Sequence, residues 1–243
     1  MNNILPDDFD WIVYKELNPY LYFTGLRTRE EYINNYLIEG LYKGRPYKKE
    51  QNKRYSFHVL LATIGKKSIL IILNMLKKQL TEIDYLTIVF DGFQYTTNSI
   101  IVNEFCKNGF KCKVNIIVEK DNLGYWGHGI RNKYNNLEGD FVYHIDDDDT
   151  LCEDAFYNIR RYCVDLSKVY IFKITLENGS IVWKKPILQY AKISTQSGVI
   201  PTHINSTGFW ELKYGGDFEF YKELYNKYPF IFIDKMIYIK NKV

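Results

Sequence analysis

The chain has 243 residues, 46% hydrophobic and 17% aromatic, which is enough apolar material to bury a full core and excludes disordered, collagen-like and low-complexity classes. Thirty-two basic residues against 29 acidic ones leave a net charge of +3, too weak for binding a nucleic acid by bulk electrostatics, so any anion is held by a local site. The four cysteines, Cys106, Cys112, Cys152 and Cys163, form no C-x-x-C pair, which excludes a zinc knuckle or a disulfide framework and fits a reducing compartment.

Met1 to Asp10 carries acids and a proline where a secretory signal needs a basic start and an apolar run. The longest apolar stretch, Ile69 to Leu73, falls far short of the roughly 20 residues that span a bilayer. The expectation is a cytoplasmic protein without a transmembrane segment. Trp11, Tyr14 and Leu17, then Tyr32, Tyr36 and Leu37, predict two short helices separated by Pro19 and Gly25, so residues 1–50 read as a small helical module. Arg45 to Arg54, with Pro46 and mostly polar or basic residues, reads as a linker.

Four apolar runs follow, Phe57 to Ala62, Leu86 to Phe90, Val114 to Val118 and Phe141 to Ile145, with starts 29, 28 and 27 residues apart. That is the length of a strand, a crossover helix and a return. Runs apolar at consecutive positions are expected of parallel strands covered on both faces. Ile69, Ile72, Leu73, Leu76 and Leu80 predict the first crossover helix, Ile101 and Phe105 a second that stops at Asn108-Gly109, and Ala155, Ile159 and Cys163 a third. After about residue 165 the rhythm changes. Val169 to Leu176 and Ile181 to Trp183 flank Asn178-Gly179 and predict a hairpin. A helix over 218–228, the aromatic run Phe230 to Ile233 and an edge-like Met236 to Ile239 complete a mixed α+β part. The fold class is therefore α/β, a mostly parallel sheet flanked by helices, with 56–165 as one half of the main domain and 166–243 as the other.

In an open parallel sheet, ligands bind beyond the carboxyl ends of the strands. Those ends carry Thr63 to Lys67, Asp91-Gly92, Glu119 to Asn122, and the tetrad Asp146 to Asp149. Four adjacent carboxylates repel one another and call for a cation, and a hard divalent ion such as Mg²⁺ is commonly held by one or two carboxylates plus substrate phosphates. With alternating geometry Asp146 and Asp148 point one way and Asp147 the other. The alternative is a solvated acidic loop capping the next helix. Gly124 opens a loop, Gly124 to Gly129, that leads into a helix carrying Arg131; it is either a phosphate-facing loop or a packing element around Trp126.

These residues resemble nucleotide-sugar glycosyltransferases of the GT-A fold, within them the family 2-like group, over roughly residues 56–225. The likeness is carried in order by Leu61 to Lys67, Val89-Phe90-Asp91-Gly92, Asn122-Leu123-Gly124, His144 to Asp149 in place of the family's D-x-D, and Tyr214 to Phe218. Phe9 to Tyr14 with Gly40 to Pro46 resembles a small helical module that precedes sugar transferases in giant-virus proteins, which would place the chain in host cytoplasm. The resemblance implies a UDP-sugar donor, Mn²⁺ or Mg²⁺, a glycan or glycoprotein acceptor and, by preference, inversion at the anomeric carbon. It implies that Thr63 and Gly65 let the first loop approach the nucleotide, that Asp91 accepts from uracil or ribose, and that Asp146 and Asp147 face the nucleotide. Asp146 and Asp148, with His203 as a late candidate, would hold the metal, and Lys66 and Arg131 would be cations for the diphosphate. Asp217 would be the base that deprotonates the acceptor, with Glu219 in reserve; the plain alternative for Asp217 is a helix N-cap. Trp210 and Phe209 are candidates for stacking on a sugar or for core packing, and the many aromatics are compatible with a homodimer.

Two other classes remain open. Asp146, Asp148 and Thr150 match the D-x-D-x-T of haloacid-dehalogenase-like phosphatases, with Asp146 as nucleophile and Asp148 as acid/base, although that motif normally ends the first strand of its domain. The third class is a non-catalytic nucleotide-sugar binder.

Overall fold

The computed structural model describes residues 5–6, 9–41, 43, 45–47, 54–107 and 109–241. Tyr42 and Gly44 of the N-terminal motif, residues 48–53 of the expected linker and Asn108 of the expected helix stop lie outside them. The chain divides into two units, Met1–Arg54 and Tyr55–Val243. Among the described residues no helix is long and apolar enough to cross a membrane.

In the first unit, Asp10 caps α1 (Trp11–Leu17) by accepting the amide of Ile12 at 2.8 Å, and a 3₁₀ turn over Pro19–Thr24 ends at Gly25. Thr28 and Glu31 form a capping box at α2 (Arg29–Asn35). Tyr14, Leu21, Tyr32 and Tyr36 make its core.

The second unit is built on one eight-stranded sheet in the order β3-β2-β1-β4-β7-β6-β8-β5. Its first half alternates strand and helix: β1 (Phe57–Thr63), α3 (Ile69–Gln79), β2 (Tyr85–Phe90), α4 (Thr96–Lys107), β3 (Lys113–Val118), α5 (His128–Lys133) and β4 (Phe141–Asp146). These four strands pair in parallel, with Ala62 beside both Val89 and Asp146. Then come β5 (Thr150–Leu151), α6 (Ala155–Tyr162), β6 (Val169–Leu176), β7 (Gly198–Pro201), the single turn α7 (Thr202–Asn205), α8 (Gly216–Tyr225) and β8 (Phe230–Lys240). β7 runs antiparallel between β4 and β6, β8 is parallel to β6, and β5 closes the far edge.

The predicted central strands are buried, β1 throughout and β2 and β4 at all but one end residue, because they present apolar residues to the helices: Ile69, Ile72, Leu73 and Leu76 of α3 pack with them within one core. Four expectations are corrected. The inward face of α4 is Ser99, Val102 and Cys106 while Ile101 is exposed, so the buried stripe runs along the smaller side chains. β3 is an edge strand and only partly buried. The hairpin turn forms at Asn178-Gly179, but its return arm is a single bridge at Ile181; beyond it the Trp183 indole donates to the Phe172 carbonyl at 2.8 Å, a side-chain bond in place of further ladder pairing. Phe230 to Ile233 and Met236 to Ile239 form one strand with a bulge, and Met236 to Ile239 lies between β6 and β5 instead of on an edge.

Candidate active site at the carboxyl ends of the strands

A cavity of about 750 Å³ opens where the predicted rim lies, lined by Thr63, Lys66, Asp91 and the tetrad Asp146 to Asp149, by Lys240 beside Asp149, and by Tyr214 and Asp217 from the start of α8. β1, β2 and β4 deliver the first group because parallel strands end on the same side; α8 delivers Asp217.

Burial alternates along the tetrad, with Asp147 and Asp149 buried and Asp146 and Asp148 half-buried. Each carboxylate has its own neighbours. Asp146 accepts at one oxygen from the Arg131 guanidinium at 2.5 Å and at the other from Gln196 in a short hydrogen bond. The Tyr238 hydroxyl lies 3.3 Å from both its amide and its carbonyl. Asp147 takes a short hydrogen bond from Thr63, which in turn accepts the Gly65 amide at 2.8 Å. Burial, opposed by that bond from Thr63, raises the Asp147 carboxyl above its ordinary value. Asp148 pairs with the Lys66 ammonium at 2.7 Å, and this bond raises the lysine and keeps it charged. Asp149 is pushed up to about 7 by burial; one oxygen accepts from the Asn241 amide and the other is buried with no partner among the described residues.

Arg131 is wholly buried beneath the cavity, bonded to the Trp126 carbonyl at 2.7 Å as well as to Asp146, and its guanidinium lies 5.3 Å from the Trp210 ring. It is a support for Asp146, with no face toward the cavity lining. Asp91 accepts the amides of Leu123 at 2.5 Å and Gly124 at 2.9 Å, one on each oxygen, so its carboxylate fixes the next loop. Gly65 lies behind Thr63, with its carbonyl held by Asn98 at 2.8 Å. Glu119 is held by Lys133 at 2.6 Å and Tyr134 at 2.5 Å and does not line the cavity.

The loop Gly124 to Gly129 needs its glycines for shape. Gly127 has φ +81° and a Cβ there would sit 2.8 Å from that of Ala62. Tyr125 and Trp126, although not glycine, also take positive φ, 56° and 54°, a conformation costing about 1 kcal/mol or more for each bulky residue. His128 bonds the Glu211 carbonyl at 2.8 Å; burial and the neighbouring Arg131 lower its pKa.

Asp217 is not an N-cap. Gly215, at φ +77°, takes that position and Asp217 sits in the first turn of α8, on the cavity wall. Gly216 is pressed against the Glu211 carbonyl and lies 2.8 Å, at a built Cβ, from the His128 ring. Glu219 is outside the cavity lining and pairs with Lys222 at 3.2 Å. His203 is exposed on α7 beside the start of β4, where the Thr202 amide bonds Asp140, so it stands at the sheet end opposite the tetrad. Trp210 is buried and stacked on Phe220 at 3.9 Å, a core residue, while Phe209 is exposed and absent from the lining.

Among the described residues, no three His, Cys, Asp or Glu side chains converge as a metal cage. The acidic set is nevertheless all oxygen and, among the described residues, includes a buried carboxylate oxygen without a partner and an Asp148 carboxylate paired only with a half-exposed lysine. That composition fits a hard divalent ion held through Asp148 and completed by substrate phosphates. Asp146, whose two oxygens already accept from Arg131 and Gln196, would meet an ion only through its remaining lone pairs, and His203, at the opposite end of the sheet, does not fit. Position argues against a phosphatase-type nucleophile at Asp146, since β4 follows three βα units instead of opening the domain.

Gln196, Tyr238, Asn98 and Lys240 had no sequence signal. The first is wholly buried in a Ser-Thr-Gln-Ser stretch that reads as a polar loop.

No protein-family model and no curated protein matches the sequence. Solved structures do match. The Staphylococcus aureus TarS 1-349 structure aligns at 20% identity with a TM-score of 0.60, over 76% of this chain and 60% of that one, and TarS 1-349 has been solved with UDP and with UDP-GlcNAc. A Pyrobaculum calidifontis mannosyltransferase with GDP-Man and Mn²⁺ aligns at 12% identity and TM-score 0.60, over 95% of this chain and 68% of that one. GalNAc-T7 with UDP, GalNAc and Mn²⁺ aligns at 10% and 0.56, over 78% and 43%. This chain thus spans about 60% of the TarS fragment. The fold is that of the GT-A glycosyltransferases. These matches lend no support to a giant-virus origin.

Proposed function

We propose that the chain is a glycosyltransferase of the family 2-like kind that moves a sugar from a UDP-linked donor to an acceptor hydroxyl, with inversion and with Mn²⁺ or Mg²⁺. One observation carries the reading: one cavity at the carboxyl ends of parallel strands is lined by the tetrad and Lys66 together with a carboxylate on a helix start, Asp217. The GT-A likeness, and the nucleotide sugars and Mn²⁺ present in the matched structures, support it.

When bound, the divalent ion supplies neutralisation of the diphosphate as it leaves. Asp148 would hold it, at the cost of its pairing with Lys66. The released ammonium, already biased to stay charged, would turn to a diphosphate oxygen and place a second positive charge where negative charge develops. Asp146, its carboxylate fixed by Arg131 and Gln196 and its backbone by Tyr238, would offer its remaining lone pairs to the nucleotide. Asp91, Thr63 and Gly65 shape the two loops that the nucleoside would pass. Across the cavity, Asp217 would take the proton of the acceptor hydroxyl as the oxygen attacks the anomeric carbon from the side away from the diphosphate. The carbon–oxygen bond to the diphosphate breaks as the new one forms, so the proton ends on Asp217 and the charge on the nucleotide.

The test is nucleotide release from UDP-, GDP- and CDP-sugars with and without Mn²⁺. The proposal expects metal-dependent UDP release by the native protein and its loss in Asp148→Ala. Free phosphate from phosphomonoesters, with no nucleotide-sugar turnover, would overturn it in favour of a phosphatase.

A further inference from the structure

The mouth of the cavity carries three large aromatic side chains that the chemistry above leaves unused. Tyr214 is 79% exposed, Trp126 68% and Tyr190 55%, and all three line the cavity. They are arranged around the helix start that bears Asp217. The Trp126 and Tyr214 rings meet edge to face at 6.0 Å, and the Tyr190 ring meets Phe218 at 5.4 Å and abuts Gly215. The sequence order Tyr214, Gly215, Gly216, Asp217, Phe218 therefore sets the carboxylate between two aromatic contacts.

The backbone is strained at one of these rings and next to another. Among the described residues the non-glycine positions with positive φ are Tyr125, Trp126 and Ala191, the last directly after Tyr190. Strain gathered beside exposed rings at a cavity mouth is the pattern of a ligand clamp, because collapse onto the core would relieve both the exposure and the torsion. A pyranose ring offers what such a rim lacks: a flat C–H face to lie on an aromatic ring and hydroxyls at its edge to reach a carboxylate. A nucleobase also stacks, but on the reading above the nucleoside belongs beside Thr63 and Asp91.

We propose that Trp126, Tyr190 and Tyr214 form a stacking rim that takes a sugar ring of a carbohydrate acceptor and presents its hydroxyl to Asp217. The acceptor is thereby a glycan and not a peptide side chain or a lipid alcohol; this deepens the transferase reading and rests on it.

The experiment uses saturation-transfer NMR of the full chain with chito-, cello- and manno-tetraose as probes, with donor turnover recorded on the same preparation. The expected result is transfer to ring C–H protons of at least one oligosaccharide. Its affinity should fall about tenfold, the scale of one aromatic contact, in Tyr214→Ala and in Trp126→Ala, and recover in Tyr214→Phe, which keeps the ring and loses the hydroxyl. Near-ultraviolet circular dichroism verifies that each variant is folded. Donor turnover with no saturation transfer to any probe would overturn the rim and leave the transferase reading standing. Displacement of the oligosaccharide by uridine, or glycosylation of a Ser/Thr peptide at equal rate in Tyr214→Ala, would also overturn it. Absence of donor turnover would instead strike the transferase reading, and the NMR result would then decide the rim alone.

Discussion

Replacing Arg131 with Met removes a wholly buried cation from beneath the cavity. The guanidinium pairs with Asp146, whose side chain is 28% exposed, and bonds the Trp126 carbonyl at 2.7 Å. Removing one partner of a buried pair costs about 3–5 kcal/mol when both ions are dry. Partial exposure of Asp146 lets water take up some of the charge, while the orphaned carbonyl adds roughly 1 kcal/mol, so about 3 kcal/mol is expected. In a chain of this size that lowers Tm by roughly 6–12 °C. Urea denaturation followed by circular dichroism gives the free energy directly, and the double variant Arg131→Met/Asp146→Asn should be less destabilised than the sum of the singles by more than about 1 kcal/mol. A loss below about 1 kcal/mol in Arg131→Met, or strict additivity in the cycle, would refute the account of Arg131 as the support of Asp146.

Gly216→Ala forces a methyl into the Glu211 carbonyl and the His128 ring, and overpacking of this kind costs about 1–3 kcal/mol; an unchanged urea midpoint would contradict the packing described at the start of α8. His144, wholly buried on β4 with Asn205 at 2.8 Å, is pushed down to about 3 by burial and by Arg131, from an ordinary 6.5. Below pH 6.5 the unfolded chain takes this proton and the folded chain refuses it, so the stabilisation is complete above 6.5 and is lost as pH falls toward 3. Asp149, raised to about 7 by burial, acts in the opposite sense, so the difference between native protein and His144→Gln is the quantity to follow. The native advantage should shrink by about 2 kcal/mol between pH 7 and pH 5, and a constant difference would show that His144 titrates normally.

The parallel half of the sheet was legible because its strands are read locally: each is a run of consecutive apolar residues, and helix stripes of period near 3.6 lie between them. β7 was not legible. Gly198–Pro201 is four residues long, flanked by hydroxyl side chains, and becomes a strand only through pairing with β4 and β6. The inward face of α4 is not legible from periodicity, which favours the larger Ile101, whereas the face that the sheet buries carries Ser99, Val102 and Cys106. In the site, the tetrad declared itself by charge crowding and Asp217 by its glycine pair. The partners that give those acids distinct environments did not, since Gln196 and Tyr238 are unremarkable by type and meet Asp146 from 50 and 92 residues away. Arg131 was placed on the correct helix, but its burial beneath Asp146 follows from Gly127 letting the loop close on Ala62, a tertiary fact.

Calorimetric titration of UDP, GDP and CDP into the native protein and Asp148→Asn, each with and without Mn²⁺, tests most directly whether the acidic rim holds a divalent ion and a diphosphate together. The account predicts UDP binding that weakens by at least about tenfold, or 1.4 kcal/mol, when Mn²⁺ is withheld and equally when Asp148 is replaced. Nucleotide binding indifferent to both, or no binding of any of the three diphosphates in the presence of the metal, would contradict it.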